Sequence, residues 1–351
     1  MDIHANARQI VDLESADADV RAVPGPGFYP AQFSTLAEMA FTLRERRLGK
    51  RSVTPLHGRR LVNRPAQSDV GTLQSVLLKH ARDAFRDSAT VNAAWRGLNY
   101  LAPPDPARAA AEYDRFAALL EEMGARIHWM PPDEVTGLDS LYVRDASIPS
   151  SRGMILCNMG KAARSTEPPA QAESFREIGI PVAGAVTGDG TIEGGDVVWL
   201  DRTTLAVGRG YRTNDEGIRQ VRGILGEEID VVVAHLPHWR GPADVFHLMS
   251  ILSPIDDDLA LVYSPLLPVA FRELLLSRGF GLVEVPDEEF ESMGCNVLAL
   301  GPRRCLMLDG NPVTRGRLEK AGAQVAVFAG EEICRKGSGG PTCLTRPILR
   351  A

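Results

Sequence analysis

The chain has 351 residues, of which 44% are hydrophobic and 24% charged, a composition typical of a folded globular protein. Its formal net charge is −6, and no stretch mixes Lys and Arg with aromatic residues, which argues against nucleic acid as a partner. No apolar run approaches the roughly 20 residues that a membrane helix needs. The amino terminus also lacks the basic and then apolar pattern of a signal peptide. We therefore expect a cytoplasmic protein that binds neither nucleic acid nor membranes.

Residues 1–65 differ in pattern from the rest of the chain. They contain the turn-rich stretch "VPGPGFYP" and the basic stretch "RERRLGKR". Between them, "FSTLAEMAFTLRERRLG" predicts one amphipathic helix with Ser34 as its cap. We interpret this segment as an N-terminal arm that packs either on the following domain, residues 66–351, or on a second subunit of a homo-oligomer.

After the arm, the predicted elements follow one order: strand, strand, helix, strand. The first unit begins with "VGTLQSVLL" and, after an insertion, continues with a helix between its N-cap Asp105 and its stop Gly124. It ends with the strand "RIHWMP". The second unit consists of "SLYVRDASI", "GMILCNM", "AQAESFREIG" and "IPVAGAV".

Three further units show the same order. The third has strands "GGDVVWL" and "TLAVGRG", a helix from Asn214 to Gly226, and strand "IDVVVAHLP". The fourth reads "DVFHLMSIL", "LALVYSPLL", "VAFRELLLSRG" and "FGLVEVP", and the fifth "GCNVLAL", "RCLML", a helix capped by Thr314, and "AQVAVFAG". Four units start at residues 139, 191, 243 and 293, and such a fixed period near 50 indicates a radial or stacked array.

The last strand, "CLTRPIL", has no helix after it. We expect it to pair with the first unit, because this would close the ring and remove the sheet edge that an open array exposes. The sequence therefore predicts one closed α/β domain.

Four polar residues interrupt the predicted inner strands, where a buried polar group without a partner costs roughly 1–3 kcal/mol. They are separated by 48, 54 and 96 residues, close to one, one and two repeat periods: Asp145, Glu193, His247 and Cys343. In a closed ring such positions converge on the axis. A thiolate is a strong nucleophile, a histidine transfers protons at neutral pH, and carboxylates pair with planar guanidinium groups.

Each of these residues also has an ordinary structural explanation. His247 is a satisfied core histidine in this view, Asp145 pairs with Arg144 or caps a turn, and the "EGGD" glycines mark a bulge. Gly339 and Gly340, however, precede Cys343 and allow close approach of the backbone to a ligand. Because the four residues are in register with the repeat, we favour a functional interpretation.

The remaining cysteines are interpreted as small core residues, since they lie in or near apolar strands. With Cys343 the chain has five cysteines, an odd number whose spacings fit no zinc pattern, and we expect neither a metal nor a cofactor. The residues concerned are Cys157, Cys295, Cys305 and Cys334.

Seven motifs between about residues 70 and 350 resemble those of the guanidine-modifying pentein superfamily, and most of all its dimethylarginine dimethylaminohydrolase-like members. These motifs are "YVRD", "MGKAAR", "IEGGDVVWLD", "LAVGRGYRTN", "HLMS", "GCNVLAL" and "GGPTCLTRPI". The resemblance implies a five-bladed α/β propeller of strand–strand–helix–strand units with pseudo-fivefold symmetry. It also implies a small guanidino compound as substrate.

The resemblance further implies roles for the four polar residues. Cys343 corresponds to the nucleophile that attacks the guanidinium carbon and forms a covalent thiouronium intermediate. His247 corresponds to the general acid and base. Glu193 corresponds to the acidic residue beside that histidine, and Asp145 to the carboxylate that binds the guanidinium nitrogens.

Three other residues are expected to contact the substrate. Arg164 and Arg212 correspond to arginines that face its α-carboxylate. Met249 follows His247 in "HLM", where deiminases and amidinotransferases of this type carry "HLD". A thioether cannot accept charge-assisted hydrogen bonds, but it can contact a methyl group, which favours hydrolysis of methylated arginine to citrulline and an alkylamine.

Two alternatives remain open. One is an enzyme that hydrolyses arginine or another guanidino acid, or that transfers the amidino group to an amine. The other is a catalytically silent propeller that binds a guanidino ligand or, through its arm, a protein.

Overall fold

A computed structural model of the chain describes residues 67–242, 244 and 246–351. The predicted N-terminal arm and its helix capped by Ser34 lie outside the described residues, so the arm's packing and the domain boundary remain predictions. Within the described part of the chain, no helix is long and apolar enough to cross a membrane.

The first two repeats have the predicted order of elements. In the first, β1 (Leu73–Leu78) is followed by an insertion with two helices, α1 (Ala81–Phe85) and α2 (Ser88–Ala94), and then by the repeat helix α3 (Pro106–Glu122) and β2 (Arg126–Trp129). The second repeat contains β3 (Ser147–Ser150), β4 (Gly153–Leu156), α4 (Glu167–Glu177) and β5 (Val182–Ala185).

The remaining repeats follow the same order. The third contains β6 (Val197–Trp199), β7 (Thr204–Arg209), α5 (Asp215–Leu225) and β8 (Asp230–His235). The fourth contains β9 (Leu252–Asp256), β10 (Leu259–Val262), α6 (Val269–Ser277) and β11 (Gly281–Glu284), and a short α7 (Asp287–Phe290) follows it. The fifth contains β12 (Val297–Gly301), β13 (Arg304–Leu308), α8 (Pro312–Lys320) and β14 (Gln324–Phe328), and the last strand is β15 (Arg346–Arg350).

The strands form five three-stranded sheets with one shared topology. In each of the last four repeats the first strand is antiparallel to the second, and the second is parallel to the third. The first repeat borrows its outer strand from the end of the chain, because β15 pairs antiparallel with β1 while β1 pairs parallel with β2. This confirms the prediction that the last strand completes the first unit.

Neighbouring sheets contact each other in a closed cycle. β9 contacts β12, β12 contacts β1, and β15 contacts β3. The second and third sheets are linked by a bridge between Asn158 and Ile192, and turn 194–196 contacts turn 248–250. Five repeated units of mixed α/β structure, predicted from the period near 50 residues, are therefore confirmed.

The predicted helix caps are correct in two cases. Asp105 Oδ1 accepts a hydrogen bond from the Arg108 amide at 2.8 Å, and Asn214 Oδ1 accepts one from the Gly217 amide at 2.8 Å. Such caps satisfy amides that have no partner within the helix. The cap predicted at Thr314 is wrong, because this residue lies inside the first turn of α8.

The predicted inner strands begin too early. Short 3₁₀ turns come first, at Leu138–Leu141, Gly194–Asp196 and Leu248–Ser250. The apolar pattern runs through these turns without a break, so the sequence did not separate them from the strands. Four site residues therefore lie in turns ahead of β3, β6, β9 and β15, and not inside strands: Asp145, Glu193, His247 and Cys343.

Candidate active site

A cavity of about 550 Å³ opens where these turns meet. Its walls include five of the seven predicted site residues: Asp145, Arg164, Arg212, His247 and Cys343. Glu193 is fully buried directly behind His247. The repeat thus brings together side chains that are up to 198 residues apart in the sequence, from 145 to 343.

His247 lies between two carboxylates. Its Nε2 atom is 2.8 Å from Glu193 Oε2, and its Nδ1 atom is 3.9 Å from Asp145 Oδ1. Burial opposes the charged imidazolium, but the nearby charges of Asp145, Asp196 and Glu193 outweigh it and raise the pKa of His247 to about 9. The imidazole is therefore protonated at neutral pH and can donate a proton.

Glu193 accepts hydrogen bonds from three directions. The imidazole of His247 is one donor, Arg212 Nη1 lies 3.3 Å from both carboxylate oxygens, and the Lys161 amide donates at 2.9 Å. Burial by itself raises the pKa of this carboxyl group, but the hydrogen bond and charge of His247, together with Arg212, lower it well below its usual range. Glu193 is therefore a fixed negative charge beside the imidazolium.

Asp145 is held by a guanidinium and by a glycine amide. Its Oδ2 atom accepts a hydrogen bond from Arg164 Nη1 at 2.5 Å, and its Oδ1 atom accepts one from the Gly195 amide at 3.0 Å. A Cβ atom at Gly195 would overlap the imidazole of His247 and lie 2.8 Å from Asp145 Oδ1. The second glycine of "EGGD" is thus needed for the close packing of these two side chains and is more than a marker of a bulge.

The guanidinium of Arg164 is already engaged. Besides Asp145, it donates to both carboxylate oxygens of Glu167, at 2.9 and 2.7 Å, and to the carbonyl of Tyr142 at 2.9 Å. Contact with a substrate α-carboxylate was predicted for this arginine. The structure instead shows its donors committed to protein carboxylates and carbonyls, which fixes Asp145.

Arg212 is buried in the cavity wall, with one terminal nitrogen against Glu193. The predicted contact of Arg212 with a carboxylate remains a prediction.

Met249 does not reach the cavity. It is 4% exposed and belongs to the apolar core that includes Ile251, Leu252 and Val262. Among the described residues, the cavity walls contain its neighbours His247 and Ser250 but not Met249. The predicted contact between Met249 and a substrate methyl group therefore does not agree with the structure, because the short turn directs this side chain into the core.

Cys343 is half-buried at the cavity wall. Burial and the negative charge of Asp145 raise the pKa of its thiol, while hydrogen bonds from Asn296 and its own segment oppose that rise. Asn296 Nδ2 lies 3.4 Å from the Cys343 sulfur. In the absence of a cationic ligand the thiol is therefore protonated at neutral pH.

The glycines ahead of Cys343 have a packing role besides the predicted one, since Gly339 also lines the cavity. A Cβ at Gly339 would overlap the ring of Tyr142, and a Cβ at Gly340 would overlap the carboxamide of Asn296. The glycines therefore let two side chains pack tightly under the Cys343 segment, and do not simply leave room for a ligand. The other four cysteines are buried, as predicted.

Two residues of this network were missed in the sequence. Asn296 stands in "GCNVLAL", directly ahead of β12, so its place in the repeat was the available signal. Asp196 is fully buried, and its carboxylate accepts hydrogen bonds from Thr213 Oγ1 at 2.6 Å and from the Leu248 amide at 3.0 Å. Burial raises the pKa of Asp196 to about 6. Its backbone contact fixes the turn that carries His247.

Donor atoms of Asp145, Glu193 and His247 lie within 4.8 Å of one another, and these residue types bind divalent cations in other proteins. Here the hydrogen bonds to Arg164, to Arg212 and between His247 and Glu193 already use them. We interpret the group as a hydrogen-bonded network of side chains.

The chain is similar in sequence to several known proteins. The family model for eukaryotic N,N dimethylarginine dimethylhydrolase matches residues 88–350. An N(G),N(G)-dimethylarginine dimethylaminohydrolase of Streptomyces coelicolor is 30% identical over 239 residues, which is 66% of this chain and 84% of that protein. Its counterpart in Pseudomonas aeruginosa is 27% identical over 248 residues, 70% of this chain and 91% of that protein.

A solved structure extends the likeness to the fold. The crystal structure of a dimethylarginine dimethylaminohydrolase adduct with S-methyl-L-thiocitrulline has a TM-score of 0.64 at 25% identity, and the match covers 80% of this chain and 100% of that one. The resemblance to the guanidine-modifying penteins is thereby confirmed, and the protein is a hydrolase that acts on C–N bonds of linear amidines. Within that class, the chain belongs to the dimethylarginine dimethylaminohydrolase family.

Proposed function

We propose that this protein hydrolyses N-methylated arginine to citrulline and a methylamine through a covalent intermediate on Cys343. The observation that carries the proposal is that the Cys343 thiol, the Asp145 carboxylate and the His247–Glu193 pair meet at one cavity of about 550 Å³. The preference for a methylated guanidine rests on the family and no longer on Met249, which lies in the core.

Substrate binding precedes nucleophile activation in this mechanism. The guanidinium of the substrate pairs with Asp145, whose orientation Arg164 and Gly195 fix. The bound cation offsets the negative charge of Asp145 and lowers the thiol pKa that this charge had raised. Cys343 thus releases its proton to the solvent in the cavity and becomes a thiolate when the substrate is in place.

The first chemical step forms the bond between the Cys343 sulfur and the guanidinium carbon. As the carbon–nitrogen bond to the methylated nitrogen breaks, that nitrogen takes a proton from the His247 imidazolium and leaves as the neutral amine. The raised pKa of His247, about 9, means that the required proton is present at neutral pH. The product of this step is an S-substituted thiouronium on Cys343 with a neutral His247.

The second step consumes one water molecule. Neutral His247 takes a proton from the water as its oxygen attacks the thiouronium carbon. The carbon–sulfur bond then breaks, the remaining hydroxyl proton passes to the departing sulfur, and the ureido group of citrulline forms as the Cys343 thiol is regenerated. The buried negative charge of Glu193, 2.8 Å from His247 Nε2, stabilises the imidazolium that both steps use.

The α-carboxylate of the substrate is assigned to Arg212 in this proposal. Its guanidinium lies in the cavity wall and contacts the protein carboxylate of Glu193 through one nitrogen. Arg164 instead positions Asp145.

We further infer that the five sheets are the blades of a propeller around the cavity. The closed cycle of contacts between neighbouring sheets supports this arrangement. Further support is that turns ahead of four first strands supply Asp145, Glu193, His247 and Cys343.

The test is a product assay with the purified full-length chain. Dimethylarginine, monomethylarginine, arginine and other guanidino acids are supplied in turn, and methylamines, ammonia, citrulline and ornithine are measured separately, with Cys343→Ser as the blank. Dimethylamine and citrulline in equal amounts support the proposal. After acid quenching, mass spectrometry of Cys343 should detect the thiouronium adduct.

The same assay separates the alternatives. Turnover of arginine but not of its methylated forms would replace the substrate assignment with that of a deiminase. A new guanidino product on addition of an amine would indicate amidino transfer. Ligand binding without turnover of any compound would indicate the silent propeller.

A further inference from the structure

Asn296 occupies the fifth equivalent position of the repeat. The first strand of each other sheet is preceded, within five residues, by one polar side chain of the site: Asp145, Glu193, His247 and Cys343. Asn296 directly precedes β12, the first strand of the fifth sheet, and it lines the same cavity. Each of the five sheets therefore supplies one polar side chain to the site.

The carboxamide of Asn296 is oriented by its contacts. Its Oδ1 atom accepts hydrogen bonds from the Thr342 amide at 3.1 Å and from Thr342 Oγ1 at 2.8 Å. A backbone amide only donates, so the oxygen of the carboxamide must face Thr342, and the NH₂ group must then face Cys343. Its Nδ2 atom lies 3.4 Å from the Cys343 sulfur.

The backbone around Cys343 accommodates this contact. Gly340 packs so closely against the Asn296 carboxamide that any side chain there would overlap it. The segment from Gly340 to Cys343 is thus hydrogen-bonded to Asn296 through the Thr342 amide and the Cys343 sulfur.

The groups around the Cys343 sulfur explain how its contact with Asn296 affects the thiolate. Burial and Asp145 both disfavour the thiolate, and the ionisable Tyr142 and Cys334 also lie near the sulfur. The donors that favour the thiolate include the Nδ2 group of Asn296 and the Gly340 amide. Asn296 stabilises negative charge on sulfur without bringing a cation that would repel a guanidinium substrate.

We propose that Asn296 is a positioning residue for the nucleophile. Its Oδ1 atom fixes the backbone at Thr342, and its Nδ2 group donates to the Cys343 sulfur and stabilises the thiolate at the cavity wall. This role rests on the proposed nucleophile but not on which guanidine is the substrate.

The test is the pH dependence of Cys343 alkylation by iodoacetamide without substrate, followed by mass spectrometry of the peptide that contains Cys343. Asn296→Ala removes both contacts, whereas Asn296→Asp retains the acceptor for Thr342 and replaces only the donor to sulfur. Asn92→Ala, on the exposed face of α2, is the matched control. If Asn296→Ala does not fold, Asn296→Leu, of similar volume and without polar side-chain atoms, replaces it.

We expect Asn296→Ala to slow alkylation at pH 8 about tenfold, as loss of a hydrogen bond to a charged group predicts, and to move the thiol titration to higher pH. Asn296→Asp should show a larger displacement in the same direction. A folded Ala or Leu variant with the titration of the unsubstituted protein would overturn the proposal, as would a displacement in the apolar variant but none in Asn296→Asp. Because no substrate is present, a failure here is distinct from a failure of the proposed reaction.

Discussion

A side chain at Gly195 cannot coexist with His247 in its present position. The nearest atom to an ideal Cβ at Gly195 is Nδ1 of the imidazole, and Asp145 Oδ1 follows at 2.8 Å. The imidazole is held on its opposite nitrogen by Glu193 at 2.8 Å, so it cannot move away without losing that hydrogen bond. The Gly195 backbone thus sets how closely the acid–base group and Asp145 approach.

Gly195→Ala should therefore impair catalysis by displacing His247. Because misplacement of a reacting group by about 1 Å can cost about 100-fold in rate, we expect a loss of kcat/KM of that order. Far-ultraviolet circular dichroism should show the fold retained. Gly223→Ala on α5, where a Cβ meets nothing within 4 Å, should keep full activity and gain about 1 kcal/mol of stability. Equal kinetics for the two variants would contradict this prediction.

Glu193→Gln should move the alkaline limb of the kcat profile to lower pH. The negative charge of Glu193 contributes to the raised pKa of His247, about 9, so its removal makes the imidazolium lose its proton earlier. We expect kcat at pH 8 to fall by up to about 30-fold, because a full return of the His247 pKa from about 9 to 6.5 would lower the protonated fraction at pH 8 by that factor. Steady-state rates from pH 6 to 10 measure this, with Glu227→Gln, an exposed residue just after α5, as control. An unmoved alkaline limb would exclude Glu193 as the group that tunes His247.

Arg164→Met tests whether Arg164 positions Asp145 or binds the substrate. The substitution leaves Asp145 and Glu167 buried without their shared guanidinium, so it should reduce the free energy of unfolding by about 3–5 kcal/mol. Arg176→Met, an exposed arginine on α4, should cost no more than about 1 kcal/mol. Urea unfolding provides both values. A raised KM with unchanged stability would instead favour the predicted contact with the substrate carboxylate.

The repeat could be predicted from the sequence because the elements of each unit depend on residues close together in the chain. Asp105 and Asn214 cap helices through contacts within three residues, and the period near 50 follows from five units of similar length. The pairing of the last strand with the first unit could also be predicted, since no helix follows "CLTRPIL". Such features follow from neighbouring residues or from the regular length of the units, and both can be recognised in the sequence.

The direction of individual side chains could not be predicted from the sequence in the same way. Met249 follows His247 by two residues, yet a 3₁₀ turn directs one side chain into the core and the other to the cavity. Arg164 donates hydrogen bonds to Glu167. No strand or helix periodicity in the sequence predicts such an ion pair across a turn. The repeat could locate Asn296, but its contact with Cys343 joins two sheets and required the structure.

Met249→Leu should leave the choice of substrate unchanged. Because Met249 lies in the apolar core, the ratio of kcat/KM for dimethylarginine to that for arginine should stay within about twofold. A volume-conserving replacement in a core should also cost less than about 1.5 kcal/mol of stability. The comparison needs only initial rates with both compounds. A large change in the ratio would mean that Met249 reaches the substrate during turnover.

The raised pKa of His247 also makes stability depend on pH. The folded protein binds this proton more tightly, with a pKa of about 9 against 6.5 for an unperturbed histidine, which corresponds to about 3 kcal/mol. The contribution is complete below about pH 6.5 and is lost as the pH rises through 9. The difference in unfolding free energy between the unsubstituted protein and His247→Gln should therefore shrink between pH 7 and 10, as measured by urea unfolding.

His128 should show the opposite dependence of the unfolding free energy on pH. Burial lowers the pKa of His128 on β2, so the unfolded chain binds its proton more tightly than the folded protein does. Protonation of His128 therefore opposes folding, and the advantage of His128→Gln should grow as the pH falls through 6.5. If His247→Gln and His128→Gln change stability in the same direction with pH, or if neither depends on pH, the charge environment inferred for His247 is wrong.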